Sequence, residues 1–425
     1  MTFWDRRKFI GSSISIAGSS LLGSFDLDAK PQNQLIKDPK GVLDLPPGFK
    51  YKILDRSGSK MSDGYTSPGR PDGMGCFLVG DHWVLMRNHE LSPRHQDSRP
   101  YPSESDAPKE AYDQKAFGGV SRLLLDPVNL TVKQTNLALA GTHLNCAGGI
   151  SPWGWLSCEE TIAQGHGYVF LCDPSATKLT KAKVIKSYGR FNHEAACIDP
   201  KGNIAYLSED RGNACFYRFV PQDPNRPFGK GKLQGLAIKN SPKKNLSTGL
   251  KVGTKMDVTW VNLTNTDSKD DTLRLEAQGK GAAIVSRGEG VWFFDNSVYF
   301  VATSGGPQKS GQIFKYDTMK STLTLVAQSE NKLALDSPDN ITVGPQGLVV
   351  VAEDGSRTPH LRIISPTGKV IDLARNGHGY GEFTGVCFSP NGQHLFTNLQ
   401  AQGLTIAITG PFTQYAAKAK ANKNS

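Results

Sequence analysis

The segment that decides the fold reads Glu194-Ala-Ala-Cys-Ile-Asp-Pro-Lys-Gly-Asn-Ile-Ala-Tyr-Leu-Ser-Glu-Asp210. It consists of an apolar strand, an Asp-Pro-Lys-Gly turn and a second apolar strand, and it has carboxylates at both ends. Proline presets φ at the second turn position, and glycine accepts the positive φ that a tight turn requires. The segment therefore predicts a β-hairpin whose two ends lie on the same side of the molecule.

The same pattern recurs along the chain. Five further copies, the first two of them weaker, occur at residues 72–90, 146–160, 289–304, 340–354 and 382–398. After most copies comes another apolar strand pair, which gives four strands per repeat, as in a propeller blade. The sequence thus predicts an all-β fold, a six-bladed β-propeller with an axial metal site and inserted loops, over residues 40–412. A β-sandwich is the alternative, but it would not explain why polar residues cluster at only one end of each hairpin.

Polar side chains mark both ends of every predicted hairpin. The first strands begin at Asp72, Cys146, Glu194, Glu289, Asn340 and Glu382. The second strands end at Asn88/Glu90, Glu159/Glu160, Glu209/Asp210, Thr303/Ser304, Glu353/Asp354 and Asn398/Gln400. If six hairpins close into a ring, these groups meet on one face. Unpaired carboxylates there would repel one another, and bound cations remove that cost, so the pattern predicts a metal site.

Cys146 differs from the other six cysteines. It lies in Asn145-Cys-Ala-Gly-Gly149, where the glycines allow a close approach to a metal, and Glu160 ends the same hairpin. A thiolate suits iron or zinc rather than calcium. Most of the other cysteines stand in apolar, strand-like runs, so we expect them to be buried and not paired in disulfides. Cys158 belongs to this packing group, and an idle buried thiol is also the alternative for Cys146.

The predicted metal ligands are Cys146, Glu160, Glu194, Glu289, Glu382, Glu90, Glu209, Asp210 and Glu353. Arg287 and Arg190 lie close to these glutamates in sequence; either an exposed salt bridge or a guanidinium fork for phosphate oxygens would explain them. His89 and His193 each precede a predicted ligand; the alternatives for them are a metal ligand, a proton donor to a leaving group and a support for the adjacent carboxylate, and we expect the last.

Charge and composition narrow the function classes. The 425 residues include 49 Lys and Arg against 39 Asp and Glu, a net charge of +10. A positive field raises the encounter rate of anionic substrates such as phosphate esters. The basic residues are scattered, which disfavours nucleic-acid binding. The sequence contains no GxSxG, HExxH or P-loop motif.

Both ends of the chain and two internal segments interrupt the repeats. Asp5-Arg-Arg-Lys-Phe-Ile10 precedes a short, diluted apolar stretch, so residues 1–30 resemble a twin-arginine export signal rather than a membrane span. This predicts a periplasmic or extracellular protein whose partner is the twin-arginine translocation machinery. Residues 413–425 are predicted to be a disordered basic tail. Residues 91–117 and 221–288 are expected to be loops or lids, with a helix near residues 273–283.

Several of these motifs together resemble the PhoX-type alkaline phosphatases. The resemblance rests on Asn145-Cys-Ala-Gly-Gly149, Pro152-Trp-Gly154, Cys158-Glu-Glu160, Asp72-Gly-Met74, Arg87-Asn-His-Glu90, Gly118-Gly119, Phe383-Thr-Gly385 and Thr409-Gly-Pro411. It runs from about residue 40 to 412 and includes the twin-arginine leader. This chain departs from the family in reading Pro-Trp-Gly-Trp, without the additional residue that the family more often has between Gly and Trp.

The resemblance implies a six-bladed propeller that hydrolyses phosphate monoesters outside the cytoplasm. It implies an axial cluster of two iron ions, bridged by a cysteine and an oxo group, with calcium ions alongside. Cys146 then resembles the bridging thiolate and Arg287 a phosphate-binding arginine, while the expected cluster carboxylates are Glu160, Glu194, Glu289 and Glu382. We expect Arg287, Cys146 and Glu160 to serve catalysis. The rival interpretations are a calcium-dependent lactonase or oxidoreductase, and a non-catalytic interaction propeller.

Overall fold

Six β-hairpins surround the centre of the molecule, as the repeats predicted. The computed structural model describes residues 35–355 and 357–421, with the backbone alone at 418–421. The predicted export signal, residues 1–30, lies outside this part of the chain. Within it the fold is all-β and propeller-like: there are 26 strands and two α-helices, α1 (Leu273–Gly279) and α2 (Phe412–Ala421).

The strands fall into six consecutive units, each of which begins with one of the hairpins. Two short strands, β1 (Leu43–Asp44) and β2 (Lys50–Arg56), precede the units. Unit 1 contains β3 (Pro71–Val79), β4 (His82–His89), β5 (Gly118–Leu125) and β6 (Val132–Thr142). Unit 2 contains β7 (Asn145–Ser151), β8 (Gly154–Glu159), β9 (Val169–Cys172) and β10 (Val184–Ile185). Unit 3 contains β11 (His193–Asp199), β12 (Ile204–Glu209), β13 (Tyr217–Pro221), β14 (Gly231–Ile238) and β15 (Lys255–Asn262).

The remaining units follow the same order. Unit 4 contains β16 (Gly288–Phe294), β17 (Ser297–Ala302), β18 (Gln312–Asp317) and β19 (Thr322–Gln328). Unit 5 contains β20 (Pro338–Val343), β21 (Val349–Glu353), β22 (His360–Ile364) and β23 (Val370–Asn376). Unit 6 contains β24 (Phe383–Phe388), β25 (His394–Leu399) and β26 (Leu404–Thr409). Short 3-10 helices span Gln96–Ser98, Glu104–Asp106, Lys186–Tyr188 and Pro345–Gly347.

The first strands of the units form a closed ring. Each of β3, β7, β11, β16, β20 and β24 contacts the next, and β24 contacts β3. The N-terminal strand β2 pairs antiparallel with β26 and completes the sheet of unit 6, while β1 pairs with β23 of unit 5. Main-chain hydrogen bonds between β2 and β26 thus join the beginning and the end of the described part of the chain within unit 6. The turn glycines Gly202 and Gly392 adopt the positive φ values, 85° and 69°, that the sequence pattern required.

The expected six separate blades are present only in part. Four sheets contain four or five strands, but units 3 and 4 share one nine-stranded sheet. The joining strand is β15, which pairs with β14 on one edge and with β19 on the other. Residues 221–288 are therefore not only a loop, as expected, but supply two strands and α1. β15 buries few side chains, so main-chain pairing on both edges, rather than an apolar pattern, holds it in place.

Apolar side chains pack within the units and between neighbouring units. Phe300 of β17 stacks on Phe216 of unit 3, with ring centroids 4.2 Å apart, and on Phe314 of β18 at 5.1 Å. All seven cysteines are buried and free, as predicted, and Cys158 lies in one of these apolar layers. Such packing fixes the units relative to one another and so fixes the inner strands that carry the site.

The expected disordered tail is a helix in its first part. Residues of α2 pack against unit 6: Phe412 and Ala416 are almost fully buried, and Tyr415 contacts Phe49 edge-to-face at 5.1 Å. The basic composition of residues 413–425 concealed this apolar face, which recurs at helical spacing. Residues 422–425 lie outside the described part. Neither α-helix of the described ranges has the length and apolar character needed to cross a lipid bilayer.

Candidate metal centre

A β-bulge occurs at the same position in all six hairpins. In each, the pairing register shifts so that two residues of the first strand face one residue of the second. The first bulged residues are Asp72, Cys146, Glu194, Glu289, Asp339 and Gly385. A bulge re-aims a side chain out of the regular alternation of a strand. Five of the six bulges thereby carry an acidic or thiol side chain at the inner ends of the strands, and we call these residues the bulge ring.

The second bulged residues are mostly small. They are Gly73, Ala147, Ala195, Gly290, Asn340 and Val386, and they line a narrow channel at the centre of the ring. A Cβ atom on Gly73 would lie 2.6 Å from Cα of Ala147, and one on Gly290 would lie 2.7 Å from the backbone nitrogen of Ile341. Because real Cβ atoms do not approach so closely, glycine is required there. The small residues let adjacent inner strands approach, and this brings the bulge-ring side chains together.

A second ring of polar residues follows the returning strands. It consists of Glu90, Glu160, Asp210, Thr303, Asp354 and Gln400, which we call the rim. The backbone N–H of each rim residue donates to the carbonyl of a residue just before the first strand of the same hairpin: Arg70, Leu144, Asn192, Arg287, Ser337 and Glu382, at 2.9–3.2 Å. The same hydrogen bond thus closes all six hairpins and sets the rim beside the bulge ring.

Two groups of side chains have the spacing of metal ligands. Sγ of Cys146 and carboxylate oxygens of Glu160 and Glu194 all lie within 4.8 Å of one another. Oxygens of Glu194, Glu289 and Asp339 satisfy the same condition. Glu194 belongs to both groups, so the two sets are contiguous. Together they offer one soft sulfur donor and four hard carboxylates, a donor set that suits two kinds of cation.

Asp72 contributes a further carboxylate to the centre. Its Oδ2 accepts a hydrogen bond from Nε2 of Gln400 at 3.0 Å, and the same nitrogen donates to Glu90 at 3.1 Å. Its Oδ1 is buried and has no hydrogen-bond partner. Arg70 pairs with Glu90 on the outer side. An unpartnered buried carboxylate oxygen is costly, and a bound cation would satisfy it.

Arg287 lies at the mouth of the centre with its side chain 42% exposed. Nε and Nη2 both donate to the carboxylate of Asp210, at 2.8–3.2 Å, and Nη2 also donates to Glu289 at 3.0 Å. The hydrogen bonds to Asp210 and the charge of Glu289 raise the pKa of the guanidinium above its ordinary value. Within the described residues Nη1 donates to no protein group, so this face of the fork is available to a ligand.

The centre contains many more acidic than basic side chains. Nine carboxylates interact there with the guanidinium groups of Arg70 and Arg287. The carboxylates are those of Asp72, Glu90, Glu160, Glu194, Asp210, Glu289, Asp339, Asp354 and Glu382. Burial, followed by the neighbouring carboxylates, raises the pKa of several of these acids well above its ordinary value: Asp72, Glu194, Glu289, Asp339 and Glu382.

The Glu160 carboxyl and the Cys146 thiol show the same effect. Burial, and then the charge of Asp210, raises the pKa of Glu160 to about 8. Burial, and then Glu194 and Glu160, raises the pKa of the Cys146 thiol well above its ordinary value. Without a cation the centre would therefore hold protons on several of its acids. Cation binding and proton release are linked at such a site.

Two predicted ligands lie elsewhere. Glu209 accepts from the hydroxyl of Tyr217 at 2.7 Å, and Glu353 accepts from Nε of Arg362 at 2.8 Å; both carboxylates face away from the centre. The reason is the alternation of side chains along a strand: the last residue of the returning strand points away, and the next residue enters the rim. Of the predicted set, Cys146, Glu160, Glu194, Glu289, Glu382, Glu90 and Asp210 come together with Arg287.

Three members of the centre were not among the predicted ligands. Asp339, and not Asn340, occupies the bulge ring of unit 5, and Nδ2 of Asn340 donates to Asp339 at 2.9 Å. Asp72 and Asp354 belong to the charged set although only their hairpin positions had been noted. Aligning the six hairpins on their turns, with the bulge allowed for, would have found Asp339. Glu382 stands before β24 and not in its bulge, which Gly385 occupies.

Three other expected roles are wrong. Arg190 donates to backbone carbonyls, including those of Ile162 and Ser268, and is used within the loops. His89 bonds the carbonyl of Gly69 and the hydroxyl of Ser121, at 2.9 and 2.8 Å. His193 donates from Nε2 to the carbonyl of Gly189, and its ring packs on a phenylalanine rather than on the adjacent carboxylate.

The structural role of Glu353 gives a direct prediction. Glu353→Gln places an amide N–H₂ against the donors of Arg362 and of two backbone N–H groups, so we expect the free energy of unfolding to fall by about 2–4 kcal/mol. Chemical denaturation measures this loss, and Glu330→Gln on the surface is the matched control. Metal content should be unchanged; a variant that loses bound metal but keeps its stability would restore Glu353 as a ligand.

Comparisons with known proteins show the family to which the chain belongs. An all-β, propeller-like protein whose axis carries carboxylates and a thiol is the class that the fold and site define. The family model described as "Alkaline phosphatase PhoX" matches residues 31–128 and 125–403, and the chain belongs to this family. It is therefore a phosphatase, and the family predicted from the motifs is confirmed. No curated protein sequence matches the chain.

The solved structure of a bacterial PhoX shows the same fold. Pseudomonas fluorescens PhoX, determined in complex with vanadate, "a transition state analogue", aligns with a TM-score of 0.71 at 19% identity, over 89% of this chain and 97% of that chain. A gluconolactonase from Xanthomonas campestris aligns with a TM-score of 0.46 at 11% identity, over 90% and 99% of the two chains.

Proposed function

We propose that the protein is an exported phosphatase that hydrolyses phosphate monoesters at the axial centre, with iron and calcium bound there. The observation that carries this proposal is the convergence of nine carboxylates and one thiol on two guanidinium groups. Bound cations would relieve such a charge without protonating the acids, and membership of the PhoX family supplies the reaction class.

The residues present fit these cations. Cys146 is the donor that favours iron, with Glu160 and Glu194 beside it, and the carboxylates of Glu289 and Asp339 are hard oxygen ligands that suit calcium. When bound, the cations supply the positive charge that attracts the phosphoryl oxygens and stabilises charge developing on them. The protein contributes the fixed positions, because the bulge ring is held by the strands and the rim by the hairpin-closing hydrogen bonds.

Arg287 is proposed to bind the phosphoryl group. Its guanidinium is oriented by Asp210 and Glu289, and its unused Nη1 is free to donate hydrogen bonds to a ligand at the mouth. The two N–H groups of Nη1 remain to donate to phosphate oxygens, and a charge-assisted hydrogen bond of this kind is stronger than a neutral one. Asp210 is therefore a positioning residue, which holds the fork in place before the substrate arrives.

Arg287→Lys tests this assignment. Lysine keeps the charge but loses the fork, so we expect kcat/KM for p-nitrophenyl phosphate to fall about a hundredfold, with metal content unchanged. Arg375→Lys is the matched control, because the Arg375 side chain is similarly exposed, at 43%, and pairs with Asp44 outside the centre. Steady-state kinetics of both variants give kcat/KM. An Arg287→Lys enzyme whose kcat/KM lies within twofold of the wild-type value would contradict a phosphate-binding role for Arg287.

Elemental analysis of the purified protein, combined with hydrolysis of p-nitrophenyl phosphate with and without a calcium chelator, tests the proposed function. We expect both iron and calcium, and a rate that the chelator suppresses. Active protein that lacks both metals would overturn the metal-dependent mechanism. A protein with calcium but without iron, which hydrolyses lactones instead, would favour the lactonase interpretation.

Export and blade number belong to the same proposal. We propose that the nine-stranded sheet is two blades joined by β15, which makes six; an experimental structure showing it as one continuous layer would contradict this count. We also propose twin-arginine export. Replacing Arg6 and Arg7 with lysines should retain the protein in the cytoplasm, as measured by cell fractionation, whereas unchanged export of that variant would exclude this route.

A further inference from the structure

A cleft of about 730 Å³ lies beside Arg287, outside the metal centre. Ser286, which directly precedes Arg287, and Ser304, which directly follows the rim residue Thr303, form its inner wall. The backbone N–H of Thr303 donates to the carbonyl of Arg287 at 2.9 Å. The cleft is therefore lined by the direct sequence neighbours of a hydrogen-bonded pair at the mouth of the centre, on the side where Arg287 lies.

The outer wall of the cleft comes from the 247–251 segment between β14 and β15. This segment is fixed by main-chain and side-chain bonds to unit 4: Gly306 N–H donates to the carbonyl of Ser247 at 2.9 Å, and Nε2 of Gln328 donates to the carbonyl of Leu250 at 3.3 Å. The segment belongs to the long insertion of residues 221–288 that interrupts the repeats. The insertion thus builds a preformed wall beside the centre and does not merely connect two units.

The lining of the cleft is basic and rich in hydroxyl groups. Lys251 and Lys309 are both exposed in it, and neither forms an ion pair with another described residue. The hydroxyls of Thr248, Ser286 and Ser304 likewise form no hydrogen bond within the described ranges. One carboxylate lies close by: Glu330 accepts from Nε2 of Gln328 at 2.8 Å. Two unpaired ammonium groups and three unused hydroxyls outweigh it, so the cleft suits a hydroxylated anion.

We propose that this cleft holds the leaving group of the substrate and selects phosphate monoesters whose leaving group is polyhydroxylated and carries a second anionic group, as in the phosphate esters of sugar acids. The inference rests on the proposed function and extends it to a substrate class. In the reaction, water supplies the oxygen that replaces the ester oxygen on phosphorus. The P–O ester bond breaks, the leaving oxygen takes a proton, and the sugar acid remains in the cleft while inorganic phosphate leaves the centre.

Three substrates separate the contributions of the cleft and the centre. 6-Phosphogluconate is an open hydroxylated chain that ends in a carboxylate, glucose 6-phosphate is a hydroxylated ring without a carboxylate, and p-nitrophenyl phosphate has neither carboxylate nor hydroxyls. We expect the metal-loaded, full-length enzyme to prefer 6-phosphogluconate to glucose 6-phosphate about fivefold in kcat/KM. This size follows because exposed ion pairs are individually weak. The preference should fall as salt is added.

The double variant Lys251→Gln/Lys309→Gln should lose this preference and keep kcat/KM for p-nitrophenyl phosphate within about twofold of wild type. Lys178→Gln/Lys181→Gln, on an exposed loop of unit 2, is the matched control and should retain the preference. The double variant Ser286→Ala/Ser304→Ala should lower kcat/KM for both sugar phosphates and leave kcat/KM for p-nitrophenyl phosphate unchanged.

The outcomes distinguish this inference from the proposed function. If wild type hydrolyses all three esters without a preference, or if the double lysine variant keeps the preference, the cleft does not select substrates. If wild type hydrolyses none of them although its metals are bound, the proposed function itself fails and the inference fails with it.

Discussion

Removal of the bound cations is expected to abolish phosphatase activity and to lower the free energy of unfolding by several kcal/mol at about pH 8. A ligand present at a hundred times its dissociation constant stabilises the folded state by about 2.7 kcal/mol, and the centre has donor sets for more than one cation. Without cations, the buried carboxylates of Asp72, Glu194 and Glu289 face one another with little compensation. Thermal unfolding with and without a chelator measures the effect.

The raised pKa values predict the direction in which the stability of the metal-free protein changes with pH. The raised pKa of Glu160, about 8 against an ordinary 4.5, means that folding favours the protonated acid. Its contribution to stability is complete below pH 4.5 and is lost as the pH rises through about 8. The acids whose pKa is raised well above the ordinary value act in the same direction. We therefore expect the metal-free protein to lose stability from pH 5 to 9, roughly, in denaturant titrations.

The metal-loaded protein should behave in the opposite way. Cations displace the protons, so their affinity, and with it the stability, should increase as the acids ionise. Saturating calcium and iron, added back to the same chelated sample, provide the control. A metal-free protein as stable at pH 9 as at pH 5 would show that the carboxylates are compensated by something other than cations, and would argue against the centre.

Cys146→Ser is expected to remove bound iron and to lower kcat at least about a hundredfold. The serine hydroxyl is a harder and far less acidic donor than a thiol, so it is a poor substitute for a soft ligand. The fold should survive: Cys146 is buried, its Sγ lies 3.4 Å from the carbonyl of His193, and a serine hydroxyl can donate to the same oxygen. Metal analysis and steady-state kinetics on the same preparation give both readouts.

Cys172→Ser provides the matched control for this substitution. Cys172 is equally buried but lies in the apolar layer with Phe170, away from the centre. We expect a stability loss of about 1–3 kcal/mol from the buried hydroxyl, with full metal content and normal kcat. If Cys146→Ser retained both iron and activity while only its stability fell, Cys146 would be a packing residue like the other six cysteines.

Much of this architecture could be predicted from the sequence because the patterns that indicate strands and turns are local. Turn residues and alternating apolar positions lie within a few residues of one another, so the six hairpins, the free cysteines and the helix at α1 were predictable. The prominence of Cys146 was also visible, since its glycine neighbours are adjacent in the chain. The helical start of the tail and strand β15 were missed, because neither has a strong apolar pattern and both depend on distant parts of the chain.

The amino-acid sequence by itself determined the repeat, the family and the kinds of donor that the centre contains. Only the tertiary structure decided which of two adjacent polar residues faces the centre: Asp210 rather than Glu209, Asp354 rather than Glu353, and Asp339 rather than Asn340. The physical reason is the register. The extra residue of the bulge in each first strand changes the direction in which a side chain points, and so does the step to the residue that follows each returning strand. Strand pairing fixes both positions only when the ring closes.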